Sequence, residues 1–501
     1  MSKNYTVTLN GQPHLLAAEQ PLSTLFSMEK PCGGHGKCGK CKILARGNLS
    51  PLSEAERRLL TEEERSRGVR LACLTYATGD CEAQLLPKVK NEHVVTDGHL
   101  PPFEFDPTFA DFGVSMDIGT TTLAAKLFDS RGRLLATDSR TNPQQEWGAD
   151  VVSRVEAALG GKAENLAVSI RSAINESLLH LCETAEINPQ KIDRVVITGN
   201  SVMLSLLVGE SVKPFSRVPF AVKRWFGETL CARELSLSAL APDTAVYLPP
   251  LISAFVGADI TCALLSSRLC QHETALLLDI GTNGEIALWH QGELTVCSTA
   301  AGPAFEGVGI SMGMRCADGA IDKVEAVGAK LFPHVISNGP PVGICGSGLV
   351  DAAAVLLQIG ILDESGCLED DPVVLLPPVS VNGQDIRQLQ LAKGAVCAGV
   401  QTLLESRNLS PEAVKNVFIA GGFGHYLNKR NAAAIGLLPK ALAQNATAVG
   451  NAALSGASLL LLDKTAQKEA EALAQKGQVL ELAANRIFSE RFMDAMSFET
   501  F

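Results

Sequence analysis

The chain's 501 residues predict an α/β protein in two parts, a small β-rich head and a larger body built by duplication. Three observations carry this. Four cysteines, Cys32, Cys38, Cys41 and Cys73, are grouped near the N-terminus. An apolar strand running into Asp-Ile-Gly-Thr occurs twice, as Val114-Ser-Met-Asp117-Ile-Gly-Thr-Thr-Thr122 and as Leu276-Leu-Leu-Asp279-Ile-Gly-Thr-Asn-Gly-Glu285. A third apolar run, Val417-Phe-Ile-Ala-Gly421-Gly-Phe-Gly424, ends in glycines. The length allows roughly two to four domains, and 46% hydrophobic content is enough for full-sized cores.

In the head, Tyr5, Val7 and Leu9 alternate with Thr6 and Thr8, and Asn10-Gly11 is a tight-hairpin signal. His14-Leu-Leu16 then returns as the partner strand. Pro21-Leu-Ser-Thr-Leu-Phe26 reads as a short helix, and Ser53 with Glu56 as a capping box for the charged helix before Cys73. The cysteines follow a C-x5-C-x2-C spacing, with the fourth 32 positions after Cys41. That spacing wraps a 2Fe-2S cluster. The glycines of Pro31-Cys-Gly-Gly-His-Gly-Lys-Cys-Gly-Lys-Cys41 let backbone N–H groups curl toward the sulfurs. Zinc is the alternative occupant, but zinc ribbons bring two close cysteine pairs and this chain has one. His35 does not suffice for a Rieske-type site, which needs two histidines. Residues 1–88 resemble a plant-type or adrenodoxin-type ferredoxin of the β-grasp fold, with Cys32, Cys38, Cys41 and Cys73 at the four ligand positions.

Residues 89–112 are expected to form a linker, because prolines and glycines punctuate the stretch from Pro87 without a lasting period. A semi-rigid tether and a loop packed on one domain are both compatible with it. The ten remaining cysteines are scattered among apolar neighbours and read mostly as small core residues in a reducing compartment. Met1-Ser-Lys-Asn-Tyr5 carries no apolar signal region and no apolar run reaches the about 18 residues of a membrane span, so a cytoplasmic protein without membrane contact is expected. With 43 basic and 54 acidic residues, a net charge of −11 and no basic stretch interleaved with aromatics, nucleic acid is not an expected partner.

The body begins at residue 113 and runs to 501, its second half starting near 274. At each Asp-Ile-Gly-Thr the glycine lets the chain double back, while the following N–H groups and hydroxyls point at phosphate oxygens. The Asp stays close enough to hold a hydrated cation or orient water. In the third run, a backbone without Cβ can lie flush against a nucleotide.

These three elements, in this order, resemble the actin, Hsp70 and sugar-kinase superfamily, in which ATP lies between two RNase H-like halves. The resemblance assigns Asp117, Gly119, Thr120, Thr121 and Thr122 to a first phosphate loop. It assigns Asp279, Gly281, Thr282, Asn283 and Gly284 to a second, and Gly421, Gly422 and Phe423 to the adenosine side. Asp117 and Asp279 take the catalytic places, with ATP and Mg2+ as cofactors. Glu306 has two readings, positioning water or magnesium, or a helix N-terminal charge. Cys316 and Cys345 read as redox relays or as packing in glycine-rich turns.

A ferredoxin fused to this ATPase is a rare combination. Together with Val196-Ile-Thr-Gly-Asn200, Phe255-Val-Gly-Ala-Asp259, Ala301-Gly-Pro-Ala-Phe-Glu-Gly307, Gly313-Met-Arg315, Ile344-Cys-Gly-Ser-Gly348 and Gly436-Leu-Leu-Pro439, it resembles the reductive activators of corrinoid proteins in methyltransferase and O-demethylase systems. Two departures stand out: no cysteine follows Cys397, and the linker leaves no room for an additional middle domain. The resemblance implies ATP-dependent, one-electron reduction of a corrinoid methyl carrier from Co(II) to Co(I), fed by a low-potential ferredoxin, flavodoxin or reductase. It leaves a homodimer open. Two other functions fit the same motifs: a small-molecule kinase with a regulatory iron–sulfur domain, and a plain electron carrier with a structural ATPase fold.

Overall fold

The computed structural model describes residues 3–86 and 95–498, apart from 10, 27, 29 and 31. Asn10 of the expected hairpin turn, Pro31 of the cysteine loop and 87–94 of the expected linker lie outside them.

The head is a mixed five-stranded sheet in the order Gln12–Ala17, Asn4–Leu9, Ala77–Leu85, Lys42–Leu49, Val69–Leu71. Leu9 pairs with Gln12, which leaves two residues for the hairpin turn. The first strand runs parallel to the last at the centre of the sheet, in keeping with the expected β-grasp. Val7, Leu22, Ile43 and Leu71 are fully buried in its core. The expected short helix is the 3-10 turn Leu22–Leu25. Ser53 and Glu56 form the expected capping box on helix Glu54–Leu59. Glu56 extends past that duty: its carboxylate also accepts from Arg70 at 2.8 Å and from the N–H of Leu71 at 3.1 Å. Burial alone would raise its pKa, but Arg70 and the N–H groups of Ser53 and Leu71 outweigh it and hold the carboxyl below its ordinary value.

The duplication is visible strand by strand. In the first half Phe112–Ile118, Thr122–Asp129 and Leu134–Thr141 form an antiparallel meander, and Ile192–Gly199 then Ala245–Leu248 add in parallel beyond its first strand. In the second half Thr274–Ile280, Gly284–His290 and Glu293–Thr299 repeat the meander, and Asn416–Ala420 then Ala446–Gly450 repeat the parallel additions. Each Asp-Ile-Gly-Thr therefore runs from the last residues of its meander's first strand into the turn before the second, at the end where the parallel strands also finish. That convergence of strand ends is what builds a cleft.

Helices Ala258–Ser267 and Ala452–Leu462, at matching places in the two halves, pack against each other in a shared core that includes Val196, Ile260, Ala275 and Leu460. Residues 95–109 pack on this body. Asp97 and Gly98 meet Gly450 and Asn451, the N–H of Thr108 donates to the Leu461 carbonyl at 2.9 Å, and Phe109 is buried in the shared core. Over these residues the chain is a packed loop and not a free spacer. Among the described residues no helix is long and apolar enough to cross a membrane. Of the ten cysteines other than Cys32, Cys38, Cys41 and Cys73, Cys81, Cys182, Cys262, Cys297, Cys345 and Cys397 are buried.

Candidate functional site

In the head, the chain from Cys32 to Cys41 loops over one end of the sheet, with Gly33, Gly34, Gly36 and Gly39 all at positive φ. At Gly36 the φ of 67° favours glycine, and a methyl group there would also push on the Leu74 side chain. The four sulfurs gather as two pairs, Cys32 with Cys38 at 3.4 Å and Cys41 with Cys73 at 3.2 Å. Backbone N–H groups of Gly34, Lys37 and Cys38 point at the Cys32 sulfur, and that of Gly36 at Cys73. The loop also touches the body. Lys40 donates to the carbonyls of Ile310 and Gly313, and Lys30 lies 4.0 Å from Glu146.

In the body, a cavity of about 270 Å3 opens between the two halves. Asp117, Gly119, Thr120, Thr121, Thr122, Asp279, Gly281, Thr282, Asn283, Gly421, Gly422 and Phe423 all line it. Gly284 does not. It opens strand Gly284–His290 and is buried, and a methyl group there would lie 2.6 Å from Thr299 Oγ1, so its small size serves strand packing.

The two loops face each other across Glu306. Thr121 of the first donates to Glu306 Oε2 at 2.5 Å, and Thr282 of the second to Oε1 at 2.8 Å. Of the two readings of Glu306, the structure supports the one that places it in the cleft. The first loop is braced from behind, as Asn142 donates to the Gly119 carbonyl at 2.8 Å, Gln145 to that of Thr121 at 3.1 Å, and buried Arg154 to that of Thr120. Gly421, at φ 88°, comes so close to Asp279 that a Cβ would sit 2.9 Å from Oδ1. Phe423 stacks on Phe305 with ring centroids 4.4 Å apart.

Four carboxylates share the floor. Burial pushes Asp117 up to about 7, with Asp279 adding to the rise and a hydrogen bond from Asn451 opposing it. Burial pushes Asp259 up to about 8, with Asp279 and Asp117 adding repulsion, and Asp279 up to about 6. Glu285 moves up for the same reasons. Such a cluster is poised for a cation, whose charge would return each carboxylate to its ionised form. Asp259, Glu285 and Asn451 were not among the expected site residues. Asp259 stands at the first turn of helix Ala258–Ser267 behind Gly257, and Asn451 follows Gly450 at the head of helix Ala452–Leu462. For Asn451, a strand, a glycine and then a polar residue capping a helix is the signal that would have found it; Asp259 and Glu285 carry no such local signal.

The sequence matches known proteins along most of its length. Residues 112–272 match the family model for the RACo middle region, so a middle region is present within what the sequence alone presents as the first half of the body, and 273–501 match that for the C-terminal domain of RACo, the ASKHA domain. The corrinoid activation enzyme RamQ of Eubacterium limosum is 32% identical over 454 residues, covering 82% of this chain and 75% of the relative. This chain belongs to the corrinoid-activation family. A Methanosarcina barkeri reductase of the Co(II) methylated amine-specific corrinoid protein is 25% identical over 422 residues, covering 78% and 77% of the two chains. A solved structure of a reductive activator for corrinoid, iron–sulfur protein superposes over 98% of both chains with a TM-score of 0.73 and 28% identity.

Proposed function

We propose that this family member returns a corrinoid methyl-carrier protein from Co(II) to Co(I), passing one electron through the head and coupling that transfer to ATP in the body. The observation that carries the coupling is the meeting of Thr121 and Thr282 on Glu306. Hydroxyls from both halves of the chain already surround one anion there, so a phosphoryl group in the cleft engages both halves at once. Its binding or loss then changes their relative position.

Within that cleft the N–H and hydroxyl groups of 119–122 and 281–283 hold phosphate oxygens. Asp117 and Asp279 orient a hydrated Mg2+ or the attacking water, and Gly421, Gly422 and Phe423 receive the adenosine side. A magnesium ion there would keep several of its waters and bind largely through phosphate.

The paired sulfurs favour 2Fe-2S over zinc. Each iron of a binuclear cluster takes two protein thiolates, whereas a structural zinc draws four ligands to one point. Cys32 and Cys38 would hold one iron, and Cys41 and Cys73 the other. When bound, such a cluster supplies a one-electron carrier near about −400 mV. A deficit of about 59 mV costs a factor of ten in a one-electron equilibrium, and ATP offsets it. The division into a ferredoxin domain at 1–88, a linker at 89–112 and an ATPase at 113–501 belongs to this reading, as do the low-potential donor and the corrinoid partner.

The test is anaerobic reduction of a Co(II) corrinoid protein by a mild donor, followed by visible absorption. Cys38→Ser and Asp279→Ala should each abolish it, and the partner should stimulate phosphate release. Cobalt reduction at the same rate with and without ATP would refute the coupling.

A further inference from the structure

Cys316 and Cys345 are left over by this mechanism, yet both border the nucleotide cleft. The backbone delivers them there. Gly313 and Ile344 form a parallel bridge, the N–H of Met314 donates to the Ile344 carbonyl at 2.8 Å, and the N–H of Ile344 to that of Met312 at 2.9 Å. This lacing lays the loop that carries Cys316 beside the strand that ends in Cys345, and both cysteines line the same cavity. Cys345 is also the N-cap of helix Gly346–Gln358, with its sulfur 3.3 Å from Ser347 Oγ. The Cys316 thiol, helped by Ser347 and the N–H of Gly348, pulls the Cys345 pKa down to about 7 against the effect of burial. Burial pushes Cys182, Cys262, Cys297 and Cys397 the other way. Since the thiolate is the reactive form, Cys345 is chemically distinct from the core cysteines, and its resolving partner stands on the segment laced beside it.

We propose that Cys316 and Cys345 form a reversible disulfide in the cleft wall, a modification site through which a peroxide halts ATP turnover independently of the cysteine loop in the head. The Cys345 thiolate attacks one peroxide oxygen, the O–O bond breaks, and the departing hydroxide is protonated to water. Cys316 then attacks the sulfenic sulfur, the S–O bond breaks, and a second water leaves as the S–S bond forms. The two thiols give up two electrons and two protons in all, and one hydrogen peroxide becomes two waters. A dithiol reverses the bond by exchange.

The effect on turnover follows from Arg315, adjacent to Cys316, which donates across the cleft to Gln145 at 2.6 Å and Thr141 at 3.3 Å. Tying Cys316 to the head of helix Gly346–Gln358 fixes this cross-cleft contact. The consequence for ATP rests on the nucleotide reading above, but the crosslink itself does not.

The experiment treats the intact, reduced protein anaerobically with equimolar hydrogen peroxide. Free thiols are then alkylated and the unreduced digest is read by mass spectrometry. A peptide joining Cys316 to Cys345, two hydrogens lighter than its reduced parts and absent after dithiothreitol, is expected. ATP hydrolysis should be largely lost on treatment and restored by dithiothreitol, whereas in Cys316→Ser the ratio of treated to untreated rates should stay near one. Recovery of both cysteines in alkylated form would overturn the proposal, as would equal loss of hydrolysis in Cys316→Ser. A crosslink in a protein that shows no hydrolysis even before treatment would support the thiol pair and count against the nucleotide reading.

Discussion

Gly421 and Gly422 are adjacent, yet the same substitution should act on them through different physics. At Gly421 a methyl group meets two obstacles. The φ of 88° costs an L-residue about 1–2 kcal/mol, and the new Cβ would lie 2.9 Å from Asp279 Oδ1 and 3.0 Å from the Ile280 carbonyl. The carbonyl belongs to a paired strand and cannot move away, so the strain falls on the protein before any ligand arrives. Gly421→Ala should therefore lose at least about 1 kcal/mol of stability in denaturant titrations. Nothing lies within 4 Å of a methyl group at Gly422, so Gly422→Ala should unfold like the wild type. If nucleotide lies against that backbone, however, the same methyl group fills space the ligand needs. Gly422→Ala should then raise KM for ATP by about tenfold, equivalent to about 1.4 kcal/mol of lost binding, with kcat little changed. A wild-type KM in Gly422→Ala would refute the assignment of this loop to the adenosine side. Wild-type stability in Gly421→Ala would refute the strain argument.

Cys38→Ser should remove the visible absorption of the purified protein and its iron, while hydrolysis by the body survives; zinc in place of iron in the wild type would refute the cluster reading. Asp279→Ala should leave that absorption intact and slow magnesium-dependent hydrolysis by about 10- to 1,000-fold, because a group that orients water or metal contributes about 1.4–4 kcal/mol to the barrier. A wild-type rate would mean the second loop is not a phosphate loop. Glu56→Gln should destabilise the head by about 3 kcal/mol at neutral pH, since it leaves the nearly buried Arg70 guanidinium without its charge partner. The Glu56 carboxyl sits below its ordinary pKa when folded, so its stabilisation is complete above that ordinary value and is lost as pH falls through the lowered folded one. Circular dichroism of unfolding between neutral and acid pH should show that slope in the wild type and a shallower one in Glu56→Gln.

The parts of this architecture legible in the sequence are those governed by local backbone chemistry. The Ser53–Glu56 capping box and the Gly33 to Gly39 loop each rest on residues a few positions apart, and both formed as read. Asp117 and Asp279 were legible because the duplication printed the same strand and turn twice. What stayed hidden depends on contacts far apart along the chain. Asp259 and Glu285 join the floor only because parallel strands and the turns of the meander end at one edge, which no local pattern encodes. Glu306 had two readings until the structure brought Thr121, 185 positions away, within 2.5 Å of it. Gly284, which the resemblance assigned to the second phosphate loop, does not line the cavity: the chain has already turned into the strand there, and the close neighbour of a Cβ at that position is Thr299.

One contact joins the two chemistries. Lys40 lies between Cys38 and Cys41, and its ammonium group caps the carbonyls of Ile310 and Gly313. Two residues beyond Gly313, Arg315 reaches the opposite half of the cleft at Gln145. A separation of the halves must therefore either break the Arg315–Gln145 bond or draw the 310–315 segment away from Lys40. In the first case the head stays seated while the cleft opens, and in the second the cysteine loop is released from the body. In the second case a change at the cleft is felt within a few residues of the sulfurs, through a lysine that lies between two of the cysteines. Electron transfer depends steeply on how closely a carrier approaches its acceptor, so on the proposed function a body that seated or released this loop would control when the electron leaves. On that proposal the energy for the control would come from differential binding of nucleotide to the two arrangements, and it could be no larger than that difference.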